Sequence, residues 1–200
     1  MPYALFGGSF DPPHDGHIAM ARAAREALGV DEVIFIPNAR NPLKARAEAS
    51  PAHRLRMVEI AIQDEEGFSA SDVETSRGGR SFAVETVEEM TLIRPGDKAW
   101  FLLGTDALAG IMQWKSPERL VKLCRLGVFA RPGTEVDKAL RMVSDEIADR
   151  VDIIPASLHA ASSSLVREEI MRGISPERWI DTRVWSYIQQ HGLYALDETP

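Results

Sequence analysis

Short runs of apolar residues alternate along the chain with longer segments in which apolar residues recur at helical spacing. This alternation is typical of βαβ units, in which helices connect parallel strands. It predicts an α/β fold built on a parallel sheet. The predicted strands are Tyr3–Phe6, Glu32–Pro37, Phe68–Ser71, Ala99–Gly104, Leu126–Ala130 and Val151–Ile154.

Three predicted helices share one start signal. Ser50, Ser116 and Ser175 each precede a proline, and a hydroxyl N-cap followed by proline at the first helical position favours a helix start. In the helix after Ser50, Leu55, Val58 and Ile62 share one face, with Arg54 and Glu59 elsewhere, which indicates an ordinary amphipathic helix. We therefore expect a single domain with a Rossmann-like doubly wound parallel sheet, whose ligands bind beyond the carboxyl ends of the strands.

The first predicted strand ends in an unusual loop. The stretch GGSFDPPHDGH, from Gly7 to His17, contains glycines, prolines, acids and histidines and cannot be a packing element. A strand that passes through such a loop into a helix aims backbone N–H groups and the helix N-terminus at one point. This arrangement favours anions, above all phosphates.

Two other interpretations of this loop, a structural turn and a metal site, fit its residues less well. A structural turn would need no second histidine. A metal site could use His14 and His17 with Asp11, but no cysteine cluster or further histidine motif completes a tetrahedral set. The loop also lacks the Gly-Lys-Ser/Thr of Walker loops and the GxGxxG of dehydrogenases. Phosphate binding is the favoured interpretation.

The residues of this loop resemble the HxGH motif of the nucleotidyltransferase superfamily, whose members transfer AMP or CMP onto a phosphate. The long form, with Phe-Asp-Pro included, is similar to adenylyltransferases that act on pyridine mononucleotides or phosphopantetheine. The resemblance implies that His14 and His17 are catalytic and bind ATP. The further ATP-binding residues it implies in this loop are Gly7, Gly8, Ser9 and Phe10.

Composition is consistent with one intracellular enzyme domain. The chain has 200 residues, 44% of them hydrophobic, and we expect one nucleotidyltransferase domain over 1–200 in which 155–200 completes the phosphate site. Its single cysteine, Cys124, and the lack of a long apolar run predict a cytoplasmic protein that spans no membrane. A net charge of -7 argues against nucleic-acid binding, so local cations must capture phosphate ligands.

Two further clusters carry such cations. The polar segment after the second strand places Lys44 near the loop at the sheet edge, where it would face a triphosphate. It resembles the family's Pro-Asn…Asn-Pro-Pro-His-Lys segment, which also implies a role for Asn38. The run Ser162–Arg167 exceeds what a helix cap needs, and it resembles the family's Ile-Ser-Ser-Thr-x-Ile-Arg motif. Arg167 is predicted in the first helical turn, where a bound anion would offset the dipole. The ATP-binding residues implied here are Ser163, Ser164 and Arg167, the last also catalytic.

Later segments resemble the nicotinate mononucleotide adenylyltransferases in particular. Gly104-Thr105-Asp106 with Trp114 eight residues later matches their Gly-x-Asp…Trp pattern, which implies that the acid holds ribose hydroxyls and the indole stacks on the pyridine. Gly104 and Asp106 are also implied in ATP binding. The mononucleotide-binding residues implied by these and neighbouring matches are Asn38, Phe82, Ala83, Thr86, Asp106, Trp114, Lys115 and Arg131.

The resemblance covers nearly the whole chain and implies a reaction. AMP would move from ATP to nicotinate mononucleotide, with Mg2+ accompanying ATP and no resident protein-bound metal. Nicotinamide mononucleotide and phosphopantetheine remain alternative acceptors, and a non-catalytic dinucleotide-binding regulator is the alternative from another class. A homo-oligomer is compatible with the sequence.

Overall fold

The computed structural model describes residues 1–42, 47–130, 136–156 and 160–194. Within these ranges one sheet of six parallel strands forms the centre of the protein. Its strand order, β3-β2-β1-β4-β5-β6, is that of a doubly wound Rossmann-like sheet. The strands are β1 Tyr3–Gly8, β2 Glu32–Pro37, β3 Phe68–Ala70, β4 Ala99–Gly104, β5 Arg125–Ala130 and β6 Val151–Pro155.

Helices connect the strands and follow the last one. They are α1 Asp15–Leu28, α2 Pro51–Ile62, α3 Val73–Arg77, α4 Ala83–Ile93, α5 Thr105–Ala109, α6 Pro117–Leu123, α7 Val136–Leu140, α8 Asp145–Ala148, α9 Ser163–Met171 and α10 Thr182–Gln190. A short 3-10 helix, Ile111–Gln113, lies between α5 and α6.

Every predicted strand is confirmed, with ends that differ by at most a few residues. The main difference is that β1 continues through Gly7 and Gly8, which lie opposite Ile36 and Pro37 of β2. The glycines predicted in the loop therefore belong to the strand end. This extension brings their backbone to the carboxyl edge of the sheet, where a ligand would approach.

The helix-start predictions have mixed outcomes. Ser50 caps α2 and accepts a hydrogen bond from the backbone of His53, as predicted. Ser116 does precede α6, but its backbone is left-handed and its hydroxyl makes no capping bond. The helix predicted at Ser175 is wrong, because a turn follows it. The last helix begins instead after Asp181, whose carboxylate accepts from the Arg183 backbone.

The sheet separates two apolar layers, and a third cluster forms beside them. One layer packs against α4, α5 and α6, and the other against α1 and part of α2. The third cluster joins Met57 of α2 to Val166 of α9, Val184 of α10 and Tyr194. The C-terminal helices are thus anchored to α2. This anchorage places them next to the loop that follows β1.

Candidate active site

A cleft of about 650 Å3 lies at the carboxyl ends of β1, β2 and β4. It includes the point where strand order reverses between β1 and β4, which is where open α/β sheets bind ligands. The cleft brings together many residues predicted from distant segments. Those that line it are Gly7, Gly8, Ser9, Asn38, Phe82, Ala83, Gly104, Asp106, Trp114 and Lys115.

The end of β1 has no room for a side chain. A Cβ on Gly8 would lie 2.7 Å from Cζ of Phe10, whose ring folds back over the strand end. Phe10 is itself only 1% exposed and packs on Phe6 and on the ring of His17, 4.9 Å away between centroids. Phe10 is thus brought beneath the loop as a support for His17 and does not line the cleft.

The two predicted catalytic histidines stand at the start of α1. His14 is the N-cap, and its ring lies 3.7 Å from that of His17 between centroids. The backbone N–H of His14 donates to Nδ1 of His17 at 3.2 Å. Because a backbone N–H can only donate, Nδ1 carries no proton and the His17 ring holds its proton on Nε2. Met20, one turn further along the helix, lines the cleft.

Asp11 organises the loop without facing solvent. Its carboxylate is 5% exposed and accepts from the backbone N–H groups of Glu48 and Ala49 at 2.8 and 3.0 Å. The Tyr194 hydroxyl also donates to it at 2.8 Å. Burial and the adjacent charge of Asp11 raise the pKa of the Tyr194 phenol, so the phenol remains a donor. Asp11 is therefore occupied as a structural acceptor.

The C-terminal serine and arginine cluster contacts this same loop. Ser162 caps α9, and Ser163 donates from Oγ to the carbonyl of Pro12 at 2.8 Å. Arg167 donates to the Asp11 carbonyl at 2.8 Å and pairs with Glu48 at 2.8 Å. Its predicted place in the first turn is wrong, because it is the fifth residue of α9. Ser164 is exposed.

The opposite wall of the cleft is aromatic and charged. Trp114 is half-buried, and its ring meets Phe101 edge-on at 6.0 Å between centroids. Nζ of Lys115 lies 4.8 Å from the centre of the Phe82 ring and pairs with Glu85. Phe82 is the N-cap of α4, so the first N–H groups of that helix border the cleft.

Gly104 and Asp106 lie where β4 passes into α5. Apart from its two chain neighbours, no described residue has an atom within 4 Å of a Cβ placed on Gly104, so the cleft is open at this point. Asp106 is exposed in the first turn of α5. The turn is held by Thr105, whose hydroxyl donates to the Phe129 carbonyl at 3.0 Å. An exposed carboxylate at a cleft rim can accept hydrogen bonds from the hydroxyls of a sugar.

Thr86 is not brought into the cleft. It is completely buried in α4, and its hydroxyl donates to the Glu74 carboxylate at 2.6 Å. Glu74 is 5% exposed and does line the cleft, although the sequence prediction did not include it. Burial raises its pKa, against the opposing effects of Ser81, Thr86, Arg77 and Arg54. The one sequence signal that could have identified Glu74 as a cleft residue is its place in the segment that also holds Arg77 and Ser81.

Arg54 is the second residue that the sequence prediction missed. The amphipathic pattern places it off the core face of α2, but it is 1% exposed. Its guanidinium donates to the carbonyls of Ser9 at 2.7 Å, Asn38 at 2.6 Å and Ala49 at 3.1 Å. Burial lowers its pKa, while the nearby Asp11 opposes that effect. Arg54 thus joins the strand end of β1 to the segment after β2.

Comparisons with known proteins identify the family of this chain. The model of the cytidylyltransferase-like family matches residues 5–169. A protein of Thermus thermophilus named probable nicotinate-nucleotide adenylyltransferase is 36% identical over 194 residues, covering 97% of this chain and 100% of that protein. One of the same name from Herpetosiphon aurantiacus is 35% identical, covering 95% and 96%.

The chain belongs to the nicotinate-nucleotide adenylyltransferase family. Solved structures of nicotinic acid mononucleotide adenylyltransferases share the fold of this protein. The nicotinic acid mononucleotide adenylyltransferase of Plasmodium falciparum, complexed with NaAD, superposes with a TM-score of 0.73 at 18% identity, covering 96% of this chain and 97% of that one. The same enzyme complexed with APC gives a TM-score of 0.71, also at 18% identity, and covers 96% of each chain.

Two predicted site residues of this adenylyltransferase family member, Lys44 and Arg131, lie outside the described residues. Across 1–42, 47–130, 136–156 and 160–194, no group of three His, Cys, Asp or Glu side chains could hold a metal ion. No helix in these ranges is long and apolar enough to cross a membrane. The cytoplasmic location and the homo-oligomer stay predictions.

Proposed function

We propose that this protein transfers AMP from ATP to nicotinate mononucleotide, forming nicotinate adenine dinucleotide and pyrophosphate in NAD biosynthesis. The cleft is the observation that supports this best. One end of the cleft is the glycine strand end of β1. The start of α1 with its two histidines follows this strand end along the chain, outside the lining of the cleft, and such a helix start favours a phosphate. The other end of the cleft presents Trp114 beside the N-terminus of α4, which suits a flat anionic ring.

The reaction requires no nucleophile from the protein. An oxygen of the mononucleotide 5′-phosphate attacks the α-phosphorus of ATP in line, and the bond from that phosphorus to the bridging oxygen of the β-phosphate breaks. Such transfer depends on positioning and on stabilising charge. We propose that Nε2–H of His17 donates to an α-phosphate oxygen, with His14 beside it. The hydrogen bond at Nδ1 holds the ring in the donating tautomer.

The leaving pyrophosphate would be bound by the cations and hydroxyls at the other side of the loop. We propose this role for Lys44, Ser163, Ser164 and Arg167, with the backbone of Gly7 to Phe10 beneath them. Mg2+ enters as part of the ATP substrate, bound by phosphate oxygens. The carboxylate of the buried Asp11 already accepts three hydrogen bonds from the protein, so we do not assign it to the ion.

The mononucleotide would occupy the aromatic end of the cleft. We propose that Trp114 stacks on the pyridine and that Asp106 accepts from ribose hydroxyls. Asn38, Phe82 and Ala83 also line the cleft, with the first N–H groups of α4 available to the pyridine carboxylate. Thr86 contributes from within the helix by fixing Glu74. Lys115 and Arg131 would supply positive charge.

Pyrophosphate release by purified protein tests this function. With ATP and Mg2+, we expect strong release with nicotinate mononucleotide and weaker release with nicotinamide mononucleotide or phosphopantetheine. A preference for either of the latter would reassign the acceptor. Absence of release with all three, together with measurable dinucleotide binding by calorimetry, would favour the regulator.

Trp114→Ala should raise KM for nicotinate mononucleotide by about ten- to a hundredfold, because stacking of a base on an aromatic ring contributes about 1–3 kcal/mol. KM for ATP should change little. Steady-state kinetics with each substrate varied in turn measures both values. Trp114→Phe keeps an aromatic face and should lie between the wild type and the alanine variant. An unchanged mononucleotide KM in Trp114→Ala would show that Trp114 packs against the core and does not bind the mononucleotide.

A further inference from the structure

Glu74 lies at the centre of a directed chain of hydrogen bonds. The Thr86 hydroxyl donates to Glu74 at 2.6 Å and receives a hydrogen bond from Nη2 of Arg77 at 3.0 Å. An arginine can only donate, so the proton of the Thr86 hydroxyl is available to an acceptor, and Glu74 at 2.6 Å is much closer than the Phe82 carbonyl at 3.4 Å. Arg77 also holds Glu89, on the solvent side of α4, at 2.9 Å. The carboxylate of Glu74 is thus the final acceptor of the chain that runs from Arg77 through Thr86.

A second hydroxyl, that of Ser81 in the loop before α4, lies near Glu74 and lowers the pKa of its carboxyl. The Ser81 hydroxyl accepts from the backbone N–H of Ala39 at 3.0 Å, so its own proton is free to turn to Glu74. That hydroxyl favours the ionised form of Glu74. The Ser81 backbone N–H in turn donates to the Arg40 carbonyl at 2.9 Å. Ser81 therefore connects the segment after β2 to the start of α4.

We propose that Glu74 is a positioning residue for the mononucleotide end of the cleft. It fixes Ser81 and Thr86, which stand on either side of Phe82 and Ala83 and so set the orientation of the first N–H groups of α4. This role rests on the proposed function, because those N–H groups are the ones we assign to the pyridine carboxylate.

The charge of Glu74 is needed as well as its shape. An ionised carboxylate accepts from both hydroxyls at once, whereas a glutamine offers one oxygen and turns its NH2 toward the other hydroxyl. With Glu74→Gln, one of the two hydroxyls would face the amide NH2 and could no longer donate inward, although Ser81 could still accept from Ala39. The cationic groups near Glu74 are Arg77 of α3 and Arg54 of α2, and both favour its ionised form.

Steady-state kinetics on Glu74→Gln tests this role, with Glu89→Gln as the matched control. Glu89 shares the Arg77 partner but lies on the outer side of α4, 43% exposed. Loss of a hydrogen bond to a charged group predicts a rise of about tenfold in KM for nicotinate mononucleotide in Glu74→Gln. KM for ATP should stay within about twofold of the wild-type value, and Glu89→Gln should match the wild type in both.

Two further readouts separate positioning from simple loss of stability. Ser81→Ala should raise the same KM, and the double variant with Glu74→Gln should be no worse than the worse single variant, because both act through one link. Lowering the pH should raise the mononucleotide KM more steeply in the wild type than in Glu74→Gln, since only the wild type can protonate this acceptor. Thermal unfolding of each variant is followed alongside.

The outcomes are distinguishable. An active wild type together with an unchanged mononucleotide KM in Glu74→Gln, or an equal rise in both KM values with a lowered Tm, would overturn the role of Glu74. Additive effects in the double variant would also overturn it. A wild type that forms no dinucleotide would instead refute the proposed function and the role that rests on it.

Discussion

His17→Ala should lower kcat by about a hundredfold to a thousandfold, the usual effect of removing one donor to developing charge. The imidazole is held from two sides, by the His14 backbone at Nδ1 and by the Phe10 ring, so its Nε2–H is already oriented before substrate binds. The alanine variant lacks the Nε2–H that we propose donates to the reacting phosphate. Single-turnover measurement of dinucleotide formation reports the chemical step directly.

Folding must be kept apart from chemistry in this test. His17 is the third residue of α1 and accepts a hydrogen bond from the N-cap backbone, which glutamine also does at this position in a capping box. His17→Gln should therefore keep the thermal stability of the wild type while its kcat remains low. His53→Ala removes a histidine of α2 that bonds Tyr187 instead, and it should keep the wild-type kcat. A near-normal rate in His17→Ala would refute the catalytic assignment.

Asp11→Ala should lower the free energy of unfolding by about 3–5 kcal/mol, the range for removing one member of a buried, bonded charge group. The change would leave the N–H groups of Glu48 and Ala49 and the Tyr194 hydroxyl without their common acceptor. It would also remove the negative charge that most opposes the effect of burial on the pKa of Arg54. Urea unfolding followed by circular dichroism measures the loss.

Tyr194→Phe provides the graded comparison. It removes a single hydrogen bond to Asp11 and keeps the ring in its apolar cluster, so about 1 kcal/mol should be lost. Asp11→Asn should fall between the two, because the amide can still accept from one backbone N–H. If Asp11→Ala unfolds within 1 kcal/mol of the wild type by these criteria, the carboxylate is not the stabilising centre that its contacts indicate.

The strands and the position of the cleft could be predicted because both depend on local pattern. Short apolar runs separated by helical segments specify parallel strands, and the carboxyl ends of such strands meet at one edge. Gly8, Asn38 and Asp106 could therefore be assigned to one cleft although they lie far apart in the sequence. Trp114 was placed there by resemblance, since its own spacing indicates only a core residue.

The buried charges could not be predicted in this way. Arg54 follows helical periodicity to the polar side of α2, and only the tertiary fold brings carbonyls from two separate segments to its guanidinium. Glu74 has the same difficulty, because its partners come from α4 and the preceding loop. Ser175 failed for a different reason: its serine and proline favour a helix start, but the following residues form a turn that ends at the Asp181 cap.

The contacts of the first loop also bear on the order in which this protein folds during its synthesis. Chains emerge from the ribosome N-terminus first, and domains fold in that order. The sheet is complete at Pro155, yet the hydroxyl that bonds Asp11 belongs to Tyr194, 183 positions away in the sequence. Such distant contacts form late. A growing chain therefore carries both histidines long before Tyr194 can supply its hydrogen bond to the loop that holds them.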